Sequence, residues 1–165
     1  MSLVFAIEPV EQVWNEVMVL ANLHWTGTKS YRRHYPFQPS FDRYRQCNES
    51  GFFQLFTARH EGRLVGYFGT YLSQSMHSQH LMATEDVLFL HPDYRKGRNA
   101  IKFIRHIEMQ CQRWGVKEIM FSCEDGNPTS TILEYLDYVP VIRQFSKQLS
   151  SPNAIQEQQQ TEAVS

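Results

Sequence analysis

The spacing of apolar side chains changes several times along the chain, and each change marks an element. Leu3 to Ile7 is a short apolar run that reads as a strand, and Pro9 stands where the first turn of a helix tolerates proline. Val10, Val13, Val17, Leu20 and His24 follow on one helical face. From Trp25 to Pro39 the pattern dissolves into a loop. Ser40 then caps a short helix through Phe41 and Tyr44 that Gly51 ends. Phe52 to His60 is almost continuously apolar and predicts a strand, Glu61-Gly62 a tight turn, and Arg63 to Leu72 the hairpin partner. Gly66 and Gly69 inside that partner predict close backbone packing or a bulge.

A loop with His77 and His80 leads into Glu85–Leu90, an apolar strand entered through the carboxylates Glu85 and Asp86. The next unit is the best defined. His91 to Asn99 is turn-rich and basic, and it runs directly into a helix with apolar positions at Ala100, Ile104, Ile107, Cys111 and Trp114. Gly115 falls at the C-cap. Val116 to Cys123 predicts another strand, Asn127-Pro128 opens a helix to Leu136, and Val139 to Leu149 predicts one or two closing strands. The order β-α-α-β-β-β-α-β-α-β predicts one mixed α/β domain, with helices on both faces of a single sheet.

Composition narrows this picture without redirecting it. At 165 residues and 42% hydrophobic the chain is one domain, expected over residues 1–149, with a polar, glutamine-rich disordered tail over 150–165. A net charge of -1 offers no basic field for nucleic acid or anionic lipid. Mean hydropathy of -0.45, with no long apolar run, predicts no membrane span. The N-terminal stretch lacks a basic region and a long apolar core, so no signal peptide is expected. Three cysteines without a CxxC pair read as reduced thiols, Cys123 as a core thiol, and the expected location is cytoplasmic. The histidines are scattered, and His77, His80 and Glu85 do not share a helix face, so no metal site is expected.

The candidate chemistry sits in the basic loop. A strand that enters a glycine-containing loop and then a helix presents first-turn amides without helical acceptors, at the positive end of the helix dipole. Arg95, Lys96 and Arg98 around Gly97 add mobile positive charge. The ligand so predicted carries phosphate or pyrophosphate; a solvated basic turn is the alternative.

From Val87 through Arg95-Lys96-Gly97-Arg98-Asn99-Ala100 the chain resembles the GNAT acetyltransferase superfamily, whose apolar strand, Arg/Gln-x-x-Gly-x-Gly/Ala loop and helix bind the pyrophosphate of CoA. Arg98 replaces the usual first glycine, and Gly97 lies one place earlier. The hairpin with Gly66-Tyr67 and the segment from Asn127 to Leu136-Asp137-Tyr138 resemble further family segments, with Asp137 in place of a glycine. The wording around His77, Tyr94–Arg98 and Phe145–Lys147 is most similar to bacteriophage-encoded members.

The resemblance implies a mostly antiparallel sheet splayed open around acetyl-CoA, and direct transfer of the acetyl group to an amine, from a small molecule or a protein. It implies that the loop Arg95, Lys96, Gly97, Arg98, Asn99 and Ala100, the strand backbone of Leu88, Phe89 and Leu90, and Asn127 hold the cofactor. It implies a general base at the start of the strand before the loop, at Glu85, with Asp86 on the opposite face by alternation. Both carboxylates as a mere polar strand entry is the alternative. The family's general acid, a tyrosine, falls in register on Leu133. Tyr135 is the nearby candidate, Tyr138 is also close, and packing or protonation by water is the other reading.

The basic and aromatic stretch Tyr31–Arg45 is open to three readings: a packed connection, an acceptor-binding loop, or a single-strand nucleic-acid surface. A second function class also stands. Arg98 and Asp137 at glycine positions are compatible with a non-catalytic protein of this fold that binds a macromolecular partner. A homodimer is possible on either reading, and the acceptor is unnamed.

Overall fold

The computed structural model describes residues 2–27, 35–124, 126–147 and 149. The elements run β1 (Val4–Ile7), α1 (Val10–Gly27), α2 (Phe41–Glu49), β2 (Phe53–His60), β3 (Arg63–Gln74), β4 (Leu81–Leu90), α3 (Asn99–Arg113), β5 (Glu118–Met120) and α4 (Thr129–Tyr135). The strands form one sheet in sequence order, antiparallel from β1 to β4, with β5 added parallel to β4 through α3. This is the expected mixed α/β domain.

Both faces of the sheet are covered, which is why β2 reads as nearly unbroken apolar sequence. Phe53 and Leu55 point to α1 and α2, joining Val10, Val13, Val17, Leu20 and Tyr67. Phe56 and Ala58 point to α3, joining Phe68, Phe103, Ile107 and Cys111. The predicted stripes of α1 and α3 face the core, buried at Val10, Val13, Val17, Leu20, Ile104, Ile107 and Cys111 and half-buried at His24, Ala100 and Trp114; Phe103 joins the second as well. Glu61 and Gly62 both take positive φ, the geometry of a tight hairpin turn whose twist matches its strands.

Gly66 and Gly69 mark register shifts as well as close packing. The β2–β3 register slips after Ala58, opposite Gly66, and the β3–β4 register slips after Gly69. A Cβ on Gly66 would lie 2.8 Å from Leu90 Cδ1, and one on Gly69 2.7 Å from the Phe53 ring.

Three expected boundaries are corrected. β4 begins at Leu81, so Glu85 is mid-strand rather than at the entry. β5 spans only Glu118–Met120, because the chain leaves β4 immediately beyond that point. The segment from Val139 to Leu149 forms no strand among its described residues; Val139, Ile142 and Phe145 are exposed and make no ladder. Their apolar spacing predicts a strand, but a strand needs an edge to pair with, and the segment lies on none. Residues 150–165 of the expected tail, and Tyr31, Arg32, Arg33 and His34, lie outside the described residues.

Tertiary contacts absent from any local pattern tie the first half together. Asn48, at the end of α2, accepts from Val10 N (3.0 Å) and donates to the Phe53 carbonyl (2.9 Å), capping α1 from a distance. Arg59 on β2 bonds Glu8 (2.9 Å) and Glu16 (2.7 Å), and Thr57 donates to the same Glu8 carboxylate. Burial pushes the Glu8 carboxyl up, but the Arg59 and Thr57 hydrogen bonds outweigh it and hold the group below its usual range. Glu16 is lowered chiefly by its Arg59 hydrogen bond.

Candidate active site

β4 and β5 pair only from Met82–Glu118 to Thr84–Met120 and then part. From Glu85 onward β4 has a strand partner on one side alone, β3, and among the described residues no strand pairs with its other edge. His91 N donates to Val65 O on β3 (2.8 Å). By the alternation of an antiparallel ladder, the backbone of Phe89 then also faces β3, while Leu88 and Leu90 face the gap. Of the three strand positions expected to hold the cofactor, the geometry turns Leu88 and Leu90 toward the opening and Phe89 away from it.

The basic loop closes one end of this gap. After a single turn of 3-10 helix at Pro92–Tyr94, Gly97 takes a φ of 66° and α3 begins at Asn99. The first α3 bond runs from Lys102 N to Arg98 O (2.9 Å), so the amides of Asn99, Ala100 and Ile101 have no intrahelical acceptor. No side chain caps this end and no acid lies in the first turn, although both are the usual means of satisfying a helix N-terminus. The arrangement leaves positive charge and unpaired donors at one point.

The loop side chains divide by task. Arg95 folds back, donating from Nε to Leu90 O (2.7 Å) with its guanidinium 5.4 Å from the Phe89 ring centre, so it fastens the loop to the strand. Asn99 does the same from the helix side, donating to Tyr94 O (3.0 Å). Lys96, Gly97 and Arg98 are exposed, and Ala100 is half-buried at the first turn. Arg98 has φ -102° and ψ 17°, a conformation that needs no glycine; Gly97 supplies the left-handed residue one place earlier.

Glu85 sits at the point where the strands part. Its carboxylate accepts from Ser122 N (3.1 Å) across the mouth of the gap. Asp86 lies on the other side, bound by the hydroxyls of Tyr44 (2.9 Å) and Tyr71 (3.1 Å). Cys123, expected as a core thiol, is instead exposed beside this mouth; lost hydration and the Glu85 charge push its thiol up. The correction follows from the shortness of β5, which ends before Cys123.

Tyr135 is 63% exposed, and its hydroxyl accepts from Arg98 Nη2 at 3.5 Å, which places it at the loop end of the gap. Asn127 opens α4, its Oδ1 accepting from Thr129 N (2.9 Å). Asp137 has φ 66°. The Tyr138 N bond to Leu133 O and the Asp137 N bond to Glu134 O (both 3.0 Å) form the paired closure of a Schellman end, with aspartate where glycine is usual.

In the Tyr31–Arg45 stretch, Phe41 and Tyr44 pack on Trp14 (5.3 and 5.8 Å between ring centres), and Arg45 pairs with Glu49 (2.8 Å). The rings of Phe41 and Tyr44 are thus packed against the core, whereas Tyr35 is exposed. The Tyr44–Asp86–Tyr71 cluster was not legible beforehand, since it joins α2, β3 and β4. Its one local sign was the second carboxylate at Asp86.

The described residues set an uncapped helix N-terminus beside a splayed sheet edge, an arrangement suited to an anionic, phosphate-bearing group. The family comparison agrees: the profile of the acetyltransferase (GNAT) family matches residues 16–133. The chain belongs to that family. Among solved structures it is similar to an aminoglycoside acetyltransferase from an uncultured soil metagenomic sample, with 18% identity, a TM-score of 0.74, and 91% of this chain and 100% of that one covered. It is similar too to a ribosomal-protein-alanine N-acetyltransferase from Brucella melitensis biovar Abortus 2308 (13% identity, TM-score 0.70, 90% and 100% covered). A third is the glucosamine-6-phosphate N-acetyltransferase of Arabidopsis thaliana (13%, 0.68, 91% and 100%). A search of curated proteins finds no match. No described helix is long and apolar enough to cross a membrane.

Proposed function

We propose that the chain is an acetyl-CoA-dependent N-acetyltransferase that acylates an amine by direct attack. The observation that carries the reading is the α3 N-terminus: three amides without an intrahelical acceptor, no capping side chain and no acid, beside the part of β4 that no strand pairs with. Such a terminus suits the pyrophosphate of CoA, with Lys96 and Arg98 as flanking cations. Bound there, acetyl-CoA supplies the activated acyl group as a thioester.

The chain's own groups then have separable tasks. The Leu88 and Leu90 amides face the gap and are suited to hydrogen-bond a carbonyl oxygen and take up charge developing on it. Glu85 stands at the mouth and acts as the base that takes the amine's proton, directly or through water. Arg95 and Asn99 shape the loop rather than touch phosphate. Tyr135, bonded to Arg98, belongs to the phosphate end, and the departing thiolate takes its proton from water. Asn127 holds the start of α4. The non-catalytic alternative rests on Arg98 and Asp137; Arg98 has ordinary backbone, and Asp137 keeps the left-handed conformation of a glycine position and the helix end it closes.

The test is calorimetric titration of acetyl-CoA into the wild type and a Lys96→Glu/Arg98→Glu variant. An acid at the helix start favours the dipole, so the variant stays folded while repelling phosphate. Binding by the wild type that weakens about tenfold or more in the variant supports the reading. A folded wild type that ignores acetyl-CoA sinks it.

A further inference from the structure

The β3–β4 register jumps from Gly69–Val87 to Thr70–Glu85, leaving Asp86 as the extra, unpaired residue of a bulge. Val87 and Phe89 pack toward α1 and α2. Asp86, through Tyr44 and Tyr71, faces the same way. The bulge therefore sets two consecutive residues on one face and re-aims a carboxylate into an aromatic surround. Tyr44 packs edge-on against Phe53 (5.1 Å between ring centres), Phe53 against Tyr71 (5.4 Å), and Tyr67 is buried beside Phe89 (6.0 Å).

A bulge needs no charge; asparagine would accept the same two hydroxyl bonds. A carboxylate set among rings gives up hydration and is retained at a cost unless a cation compensates it. Two hydroxyls occupy two of its roughly four lone-pair sites, and among the described residues no ion pair involves Asp86. Asp86 is half-buried rather than sealed. Aromatic faces around it favour the same sign of ligand. Burial and the Asp86 charge raise the Tyr71 hydroxyl to about 12 and Tyr44 further, so both remain donors.

We propose that Asp86, held by Tyr44 and Tyr71, is an ammonium-binding subsite, and that the acceptor is an amine carrying a second positive charge. The substrate class rests on the acetyltransferase reading; the subsite does not. An ammonium held on a carboxylate is stabilised in its protonated form and has no lone pair to attack with. The nitrogen on Asp86 is thus not the one acylated. Glu85, the preceding residue, reaches the gap on the other side. Adjacent residues of one strand therefore offer, on opposite faces, an anchor for one nitrogen of the acceptor and a base for the other. Asp86 is a specificity-determining residue.

The experiment titrates hexamethylenediamine and the neutral 1,6-hexanediol into the full chain, with and without saturating CoA. The wild type binds the diamine about tenfold tighter than the diol, one charge-assisted contact's worth. Asp86→Asn brings the diamine toward the diol's level and leaves CoA affinity unchanged. Tyr71→Phe, which removes one clamp, weakens the diamine less and the diol not at all. Equal binding of diamine and diol by the wild type, absence of diamine binding, or a preference that survives Asp86→Asn undiminished overturns the proposal. The wild-type comparison decides it even where Asp86→Asn does not fold. Failure to bind CoA with the diamine preference intact counts against the acetyltransferase reading alone.

Discussion

Replacing Gly69 by alanine tests the packing that holds the site. The new Cβ would lie 2.7 Å from Phe53 Cζ, 2.9 Å from its Cε2 and 3.3 Å from Val87 Cγ1, against about 3.5–4.0 Å for carbon atoms at rest. Phe53 is 2% exposed, with Tyr44 and Tyr71 against its ring, so it cannot swing into solvent. Overpacking of this kind costs about 1–3 kcal/mol, and the stiffer unfolded chain returns about 0.4–1 kcal/mol, which at the midpoints leaves a net loss of about 1.3 kcal/mol. For a chain of this size that is a fall in Tm of about 3–5 °C. Urea unfolding followed by tryptophan fluorescence measures the loss. A cycle with Phe53→Leu locates its cause, since shortening the ring should relieve part of the alanine's cost. Gly69→Ala as stable as the wild type, or equally costly in both backgrounds, refutes the reasoning.

Other expectations follow from single contacts. Asp137→Gly removes a side chain from a left-handed backbone and should stabilise by about 0.5–1 kcal/mol, whereas Asp137→Val should destabilise by more; thermal melts of the two separate them. The folded pKa values of Glu8 and Glu16 are lowered, so their stabilisation is present above the ordinary carboxylate value of about 4.3 and is lost as pH falls below it. The urea midpoint should drop in that window, and less steeply in Glu8→Gln. His106 packs against Phe5 with Nε2 buried and unpaired, and burial, with Arg113 nearby, lowers its pKa. Its contribution is present above about 6.5 and fades as pH falls toward the lowered value. His106→Phe should flatten the stability profile below about pH 6.5; an unchanged slope contradicts this.

The periodicity of single elements was enough to place α1 on its buried stripe, α3 between a basic loop and Gly115, and the β2–β3 hairpin on Glu61-Gly62. These are local properties: amphipathic spacing, left-handed caps and turns whose chemistry lies within a few residues. The Arg95–Ala100 loop was legible for the same reason, because a strand, a basic turn and a helix start are contiguous in the chain. Where contacts join distant segments, the one-dimensional pattern carried no trace. Asn48 caps α1 from α2, Arg59 gathers Glu8 and Glu16, and Arg95 turns out to fasten the loop to Leu90. The closing strands expected from Val139 onward depend on an available edge, which apolar alternation cannot report. Simple alternation separated Glu85 from Asp86 but did not foresee that a bulge would set Asp86 beside Val87 and under two tyrosine hydroxyls. Register between strands is decided by packing across the sheet, here by the space that Gly69 leaves for Phe53, and that space exists only once β2, β3 and β4 lie side by side.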